Sequence, residues 1–103
     1  MARDQPTRFQ DNFVRLLGVH ALTQHFTSDL LGVSEATVSG WMNGKSTPSL
    51  TKAIAIAELF QLSTDRLMGA KFTDLLTNEL ADANRFERVE ARIRRARTKL
   101  RSV

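Results

Sequence analysis

Between Thr7 and Gly69 the chain repeats one device, and that device leaves little choice of fold. A Ser or Thr opens a short run whose apolar residues fall three or four apart, and a glycine or polar stop closes it. Such spacing puts the apolar side chains on one face of a helix, and the hydroxyl suits the N-cap position. Thr7 precedes Phe9, Phe13, Leu16 and Leu17, a stripe predicted to end at Gly18. Thr23 precedes Phe26, Leu30 and Leu31, stopping at Gly32, and Ser34 precedes Val38, Trp41 and Met42, stopping at Asn43 and Gly44. Pro48 and Ser49 open a fourth run through about Phe60, with Ala53, Ile56, Ala57 and Phe60 as its core face. Ser63, Thr64 and Asp65 cap a single turn that ends at Gly69. No segment alternates with period two, so the expected fold is all-α.

At 103 residues the chain has room for one domain, placed over 7–69, with an extension over 70–103. The absence of cysteine removes disulfides, thiol catalysis and cysteine-ligated metals together. His20 and His25 have no carboxylate motif beside them and are expected at the surface or in loops, so neither a metal nor another cofactor is expected. No apolar run approaches the roughly 18–20 residues of a membrane helix, and the polar N-terminus lacks the apolar core of a signal peptide. A cytoplasmic, nucleoid-associated protein is therefore expected, with no membrane partner. The stretch Gly40 to Ser46 approaches a phosphate-binding loop, but only three residues separate Gly40 from Gly44 and no strand precedes them. With no nucleophile–base pairing and no ligand-binding domain, neither an enzyme nor a small-molecule ligand is expected.

Charge is unevenly divided. The net charge is +4, yet residues 1–83 carry seven Lys/Arg against nine Asp/Glu, whereas residues 84–103 carry eight against two. In that tail Phe86, Val89, Ile93, Ala96, Leu100 and Val103 fall on a heptad seam. Upstream the stripe shifts to Phe72, Leu76, Leu80 and Ala83, which suits packing on the domain, and residues 73–101 read as one long or slightly broken helix. Arg92, Arg94, Arg95, Arg97, Lys99 and Arg101 then form a basic set. Seam and charge together predict a homodimer through this helix or an accessory contact to DNA phosphates, ahead of a merely solvated face. A membrane-surface helix is disfavoured by the lack of Trp and the few large apolar residues.

The strongest signal lies over 24–43, two short helices joined by Leu31, Gly32, Val33 and Ser34. A glycine permits the tight turn, and apolar residues at Leu31, Val33, Val38 and Trp41 lock the second helix across the first. The second helix keeps a free face with Ala36, Ser39, Gly40 and Asn43 opposite the apolar stripe. The set Leu22, Gln24, Leu31 to Ser34, Thr37 to Lys45 and Pro48 to Leu50, followed by Leu62 to Gly69, resembles the lambda-repressor-like (Cro/repressor, XRE-type) helix-turn-helix family. The resemblance covers about residues 9–69 and implies a five-helix domain. Thr27 stands where that family has a core aliphatic, and Phe26 is expected to take over its packing; Ser28 replaces the customary alanine.

The resemblance implies a transcription regulator that binds a double-stranded DNA operator, with helix 35–43 in the major groove. Gln24 would bond a phosphate, with Thr23 and Ser34 at neighbouring helix N-termini, a role that the N–H groups there suit independently. Asn43, Lys45, Ser46 and Thr47 would meet the backbone in the following loop. Base reading would fall to Glu35, Ala36, Thr37, Ser39 and Gly40, a small set without Arg, Lys, Gln or Asn, which predicts few direct base bonds and a sizeable share for DNA shape. The chain also resembles temperate-phage immunity repressors, which implies repression by promoter occlusion. Two other readings stand beside it: an antitoxin repressing its own operon with the tail holding a toxin, and a protein-interaction adaptor, which the mildly acidic body favours.

Overall fold

The computed structural model describes residues 7–101, with the side chain of Arg101 left undescribed. Seven helices follow one another among them: α1 (Arg8–Val19), α2 (Gln24–Leu31), α3 (Glu35–Met42), α4 (Leu50–Leu59), α5 (Thr64–Gly69), α6 (Phe72–Thr77) and α7 (Ala83–Arg101). The first five begin as their sequences predict. The hydroxyls of Thr7, Thr23, Ser34, Ser49 and Ser63 each accept from the N–H three residues on, at 3.0–3.2 Å.

Two helix ends follow a different rule from the one expected. Gly18 does not stop α1, which runs on to Val19. The reversal falls instead on Ala21, in the left-handed region at φ 54°, and α4 ends the same way at Gln61, φ 56°. In both, the next leucine closes the turn: Leu22 N–H donates to the Leu17 carbonyl and Leu62 N–H to the Ala57 carbonyl, each at 2.8 Å. Both leucines are buried. A six-to-one hydrogen bond plus an apolar anchor offsets the ~1 kcal/mol that a side chain costs at positive φ. Gly32, φ 66°, and Gly44, φ 75°, end α2 and α3 as their sequences predict.

The core forms around α1. Phe13 stacks on Phe9 and meets the edge of Trp41 from α3, with ring centroids 5.3 and 5.8 Å apart. Leu16, Val38, Ile56, Leu67 and Leu75 are fully enclosed. Asn12 sits among them, its amide donating to the Leu67 and Ala70 carbonyls at 2.9 Å and so tying α1 to the end of α5. Its own carbonyl oxygen is buried without a partner. Thr27, not Phe26, fills the core position on α2. It is completely buried because its hydroxyl donates to the Thr23 carbonyl at 2.7 Å, which lets a polar residue serve where an aliphatic was expected. Ser28 is likewise buried, its hydroxyl donating to the His25 carbonyl.

The extension departs furthest from expectation. It is not one helix over 73–101: α6 stops at Thr77 and a five-residue turn precedes α7. Neither Gly nor Pro makes that break. Glu79 turns inward to a two-point contact with Arg66 at 2.7 and 2.9 Å, and the Asp82 carboxylate caps α7 by accepting from Asn84 and Arg85 N–H. Within α6 Leu75 is buried and the predicted Leu76 is exposed, and Ala83, at the start of α7, is exposed as well.

The α7 seam is also used differently. Val89 and Ile93 are buried in this chain's own core, so that part of the seam is not free for a second copy. His20, expected at the surface or in a loop, is buried, its ring lying against Phe60 and Phe86 and its Nδ1 paired with Glu90 of α7. No sequence spacing joins residues 70 apart. Leu100 stays 40% exposed, and Val103 lies outside the described residues.

Candidate nucleic-acid interface

Helix α3 is eight residues long and two-sided. Val38 and Trp41 are buried on one side, while Glu35 and Ala36 are exposed and Thr37, Ser39 and Gly40 half-exposed. The five residues predicted to read bases thus share a surface whose side chains are all short except Glu35. A surface of that kind can approach a base edge closely but offers few bidentate donors.

The N-terminal end of α3 is tied down by its own cap. Ser34 Oγ accepts from Thr37 N–H at 3.1 Å and lies 2.9 Å from Thr37 Oγ1, so the two hydroxyls form one unit. Glu35 is not a free acid. His25 of α2 contacts it through Nδ1 at 3.0 Å and reaches Asp29 through Nε2 at 3.5 Å. The hydrogen bond to Glu35, followed by the charge of Asp29, raises the His25 pKa above its usual 6.5. His25 was not among the residues singled out for this surface, and ten residues of separation from Glu35 carried no signal of it.

The loop after α3 is built onto the helix. Lys45 and Ser46 N–H both donate to the Gly40 carbonyl, at 2.9 and 3.3 Å, and Asn43 Nδ2 donates to Ser39 Oγ at 3.2 Å. A Cβ at Gly40 would stand 2.8 Å from Ser46 Oγ, so the glycine lets the loop fold back, a use beside the base approach expected of it. Gly44, at φ 75°, makes the reversal, and Gln10 of α1 braces it by donating Nε2 to the Met42 carbonyl at 3.1 Å. Asn43, Lys45, Ser46 and Thr47 are left exposed at one end of α3. Thr23 and Gln24 are exposed at the start of α2, with the Thr23 hydroxyl already accepting from Phe26 N–H. The set predicted from sequence therefore resolves into an exposed helix face, a braced loop and the start of the helix before it.

Residues 20–67 match the family model described as Helix-turn-helix. Over this segment the chain is similar to the helix-turn-helix family, with α2 and α3 as the two helices of the motif. The helix-turn-helix relative "HTH-type transcriptional regulator AnsR" of Bacillus subtilis (strain 168) is 39% identical over 44 residues, 43% of this chain. The chain spans only 38% of that relative's length. The crystal structure of a transcriptional regulator from Listeria innocua superposes with a TM-score of 0.58 at 28% identity, covering 87% of this chain and 92% of that one. Coverage of that extent exceeds the helix-turn-helix segment and reaches into the helices around it.

The basic set on α7 divides once its contacts are assigned. Arg92 donates to the Glu58 carbonyl at 3.1 Å, Arg94 pairs with Glu87 at 2.7 Å, and the Arg97 guanidinium lies 4.4 Å from the centroid of the Phe26 ring. Arg95 and Lys99 are exposed without an ion pair among the described residues, and the Arg101 side chain lies outside them. Among the described residues no helix is long and apolar enough to cross a membrane, and no group of three His, Asp or Glu could hold a metal.

Proposed function

We propose that this chain is a sequence-specific double-stranded DNA-binding transcription regulator, a repressor of the phage-immunity type that acts by covering promoter DNA. The observation that carries this reading is the exposed face of α3, small in side chain, with the braced loop 43–47 at one end and the start of α2 nearby. Glu35, Ala36, Thr37, Ser39 and Gly40 read bases. Gln24, Asn43, Lys45, Ser46 and Thr47 hold phosphates, with Thr23 and Ser34 presenting the N-terminal turns of α2 and α3. The names of both relatives, each a transcriptional regulator, support the same reading.

On this reading two copies meet on an inverted repeat, and Lys99 and Arg101 add attraction for the flanking backbone. Selection from a random duplex library at near-physiological salt tests it. An enriched inverted repeat is expected, and its half-site spacing gives the dimer geometry. Thr37→Ala or Glu35→Ala should cost about 1–3 kcal/mol on the selected site and little on unrelated duplex. Lys45→Gln should weaken both alike. Equal losses on all DNA for Thr37→Ala would remove that residue from base reading. No enrichment, with binding lost as salt rises, would refute sequence-specific regulation.

A further inference from the structure

Where α7 crosses the α4–α5 turn, the surface holds a notch of about 290 Å³ lined by Gln61, Arg88, Ala91, Arg92 and Arg95. Three of its five walls are arginine and none is acidic. Arg88, Arg92 and Arg95 fall at i, i+4 and i+7, so one face of α7 delivers all three guanidinium groups to one place. Among the described residues, no carboxylate lies within ion-pair distance of any of them: the nearby acids of α7 are spent elsewhere, Glu87 on Arg94 and Glu90 on His20.

Arg92 is fixed by donating to the Glu58 carbonyl, which also accepts from the Gln61 side chain at 3.0 Å. Gln61 is itself the left-handed residue that turns the chain from α4 into α5. Ala91 contributes only a methyl to the lining, which leaves the space concave. Three like charges gathered around a concavity repel one another unless an anion sits between them, and guanidinium forks match phosphate oxygens two at a time.

We propose that this notch is a binding site for a small phosphorylated anion, separate from the surface that meets DNA. Its volume is near the lower end for small-molecule sites, which suits one or two phosphate groups and little more. Its position argues against the operator backbone as occupant. The notch stands at the C-terminal end of α4, while the loop expected on DNA leads into the N-terminal end, and ten residues of helix span about 15 Å. An anion here would bridge α7 to the α4–α5 turn, adding to the Arg92–Glu58 bond between them and tightening the extension on the domain.

Pyrophosphate is the probe, titrated by calorimetry into the full chain, with thermal melts run against sodium chloride at matched ionic strength. Saturable binding and a rise in melting temperature beyond the chloride control are expected. R88Q/R95Q should weaken binding at least tenfold, R88K/R95K should restore part of it, and Lys45→Gln should leave it unchanged. Both Arg88 and Arg95 are exposed, so far-UV circular dichroism and the melting temperature without anion should match the parent chain. Equal binding by R88Q/R95Q, or a melting shift that chloride reproduces, overturns the site. Displacement of pyrophosphate by non-specific duplex, with R88Q/R95Q losing duplex affinity in parallel, identifies the anion as DNA backbone and also overturns it. Because pyrophosphate binding is read without DNA, failure here leaves the regulatory reading intact, and failure of operator selection leaves this site intact.

Discussion

Ile93→Ala measures whether α7 is an appendage or part of the domain. Ile93 is 4% exposed and belongs to the same apolar cluster as Phe13 and Trp41. The substitution removes three buried carbons, worth about 0.8 kcal/mol each in transfer terms. The cavity left behind adds to that, because packed interiors close only partly. Alanine's better helix propensity returns about 0.5 kcal/mol. The net cost is about 3 kcal/mol, a large share of the 5–15 kcal/mol typical of a domain of this size, and it should lower the melting temperature by roughly 10–20 °C.

The chain's single tryptophan, Trp41, makes the assay specific. It is buried on α3 against Phe13 and not on α7, so its fluorescence in urea reports on the helix-turn-helix domain itself. If α7 belongs to one cooperative unit, Ile93→Ala shifts the Trp41 midpoint by the full amount, coincident with the loss of helix by circular dichroism. Leu100→Ala, at a position 40% exposed, should cost under about 1 kcal/mol. An unchanged Trp41 midpoint, with helix lost at lower urea, would refute the argument: α7 would then melt alone.

Other outcomes follow from particular contacts. Asn12→Asp should cost about 3–5 kcal/mol in the same urea assay, because it sets a buried acceptor against two carbonyls that now receive N–H donors; a cost below 1 kcal/mol would place that side chain elsewhere. His25 is charged below its raised pKa and neutralises Glu35 and Asp29, so DNA affinity should fall as pH rises above 6.5 through that value; a His25→Gln profile as steep as the parent's would exclude it. Glu79 is held below its usual 4.5 by the Arg66 hydrogen bond, so that pair stabilises the fold above 4.5 and its contribution disappears as pH falls through the lowered value. Glu79→Gln should therefore lower the melting temperature at neutral pH and flatten the acid limb of the stability curve. Gly40→Ala should be nearly neutral in stability, since the exposed Ser46 hydroxyl can rotate away and alanine favours the helix, yet it should weaken operator binding; unchanged operator affinity would take Gly40 off the base-reading face.

The short helices were legible because each is written locally. A hydroxyl, a three-four apolar spacing and a stop fall within a dozen residues, and the five caps of α1 to α5 form as that grammar requires. What the sequence hid depends on partners far along the chain. Gly18 looked like a stop because glycine usually is one, but burial of Leu22 and Leu62 drives Ala21 and Gln61 into the left-handed region instead. His20 looked idle because Glu90 and Phe86 lie some seventy residues away. The α6–α7 break had no glycine or proline to mark it; it follows from the ion pair of Arg66 on α5 with Glu79 in the turn, and from the Asp82 cap. In the candidate interface, composition pointed to the exposed face of α3, whereas the His25–Glu35 bridge and the Gln10 brace needed the fold.

Removing residues 84–103, with their seam and basic residues, would be the direct test of whether the tail binds DNA. The structure makes that truncation uninformative. It would take away Val89, Ile93 and the Glu90 partner of His20 along with the cations, so weaker binding would report on a damaged domain as readily as on lost phosphate contacts. Arg92, Arg94 and Arg97 are also poor choices, because each makes a contact within the chain. Arg95 and Lys99 are exposed and make no such contact, so neutralising them changes charge with the least change in packing. If both met operator phosphates, the logarithmic salt dependence of binding would flatten by roughly two counterions, about 0.9 per contact. If neither did, the slope would stay as it was, and the attraction would rest on Gln24 and the loop from Asn43 to Thr47.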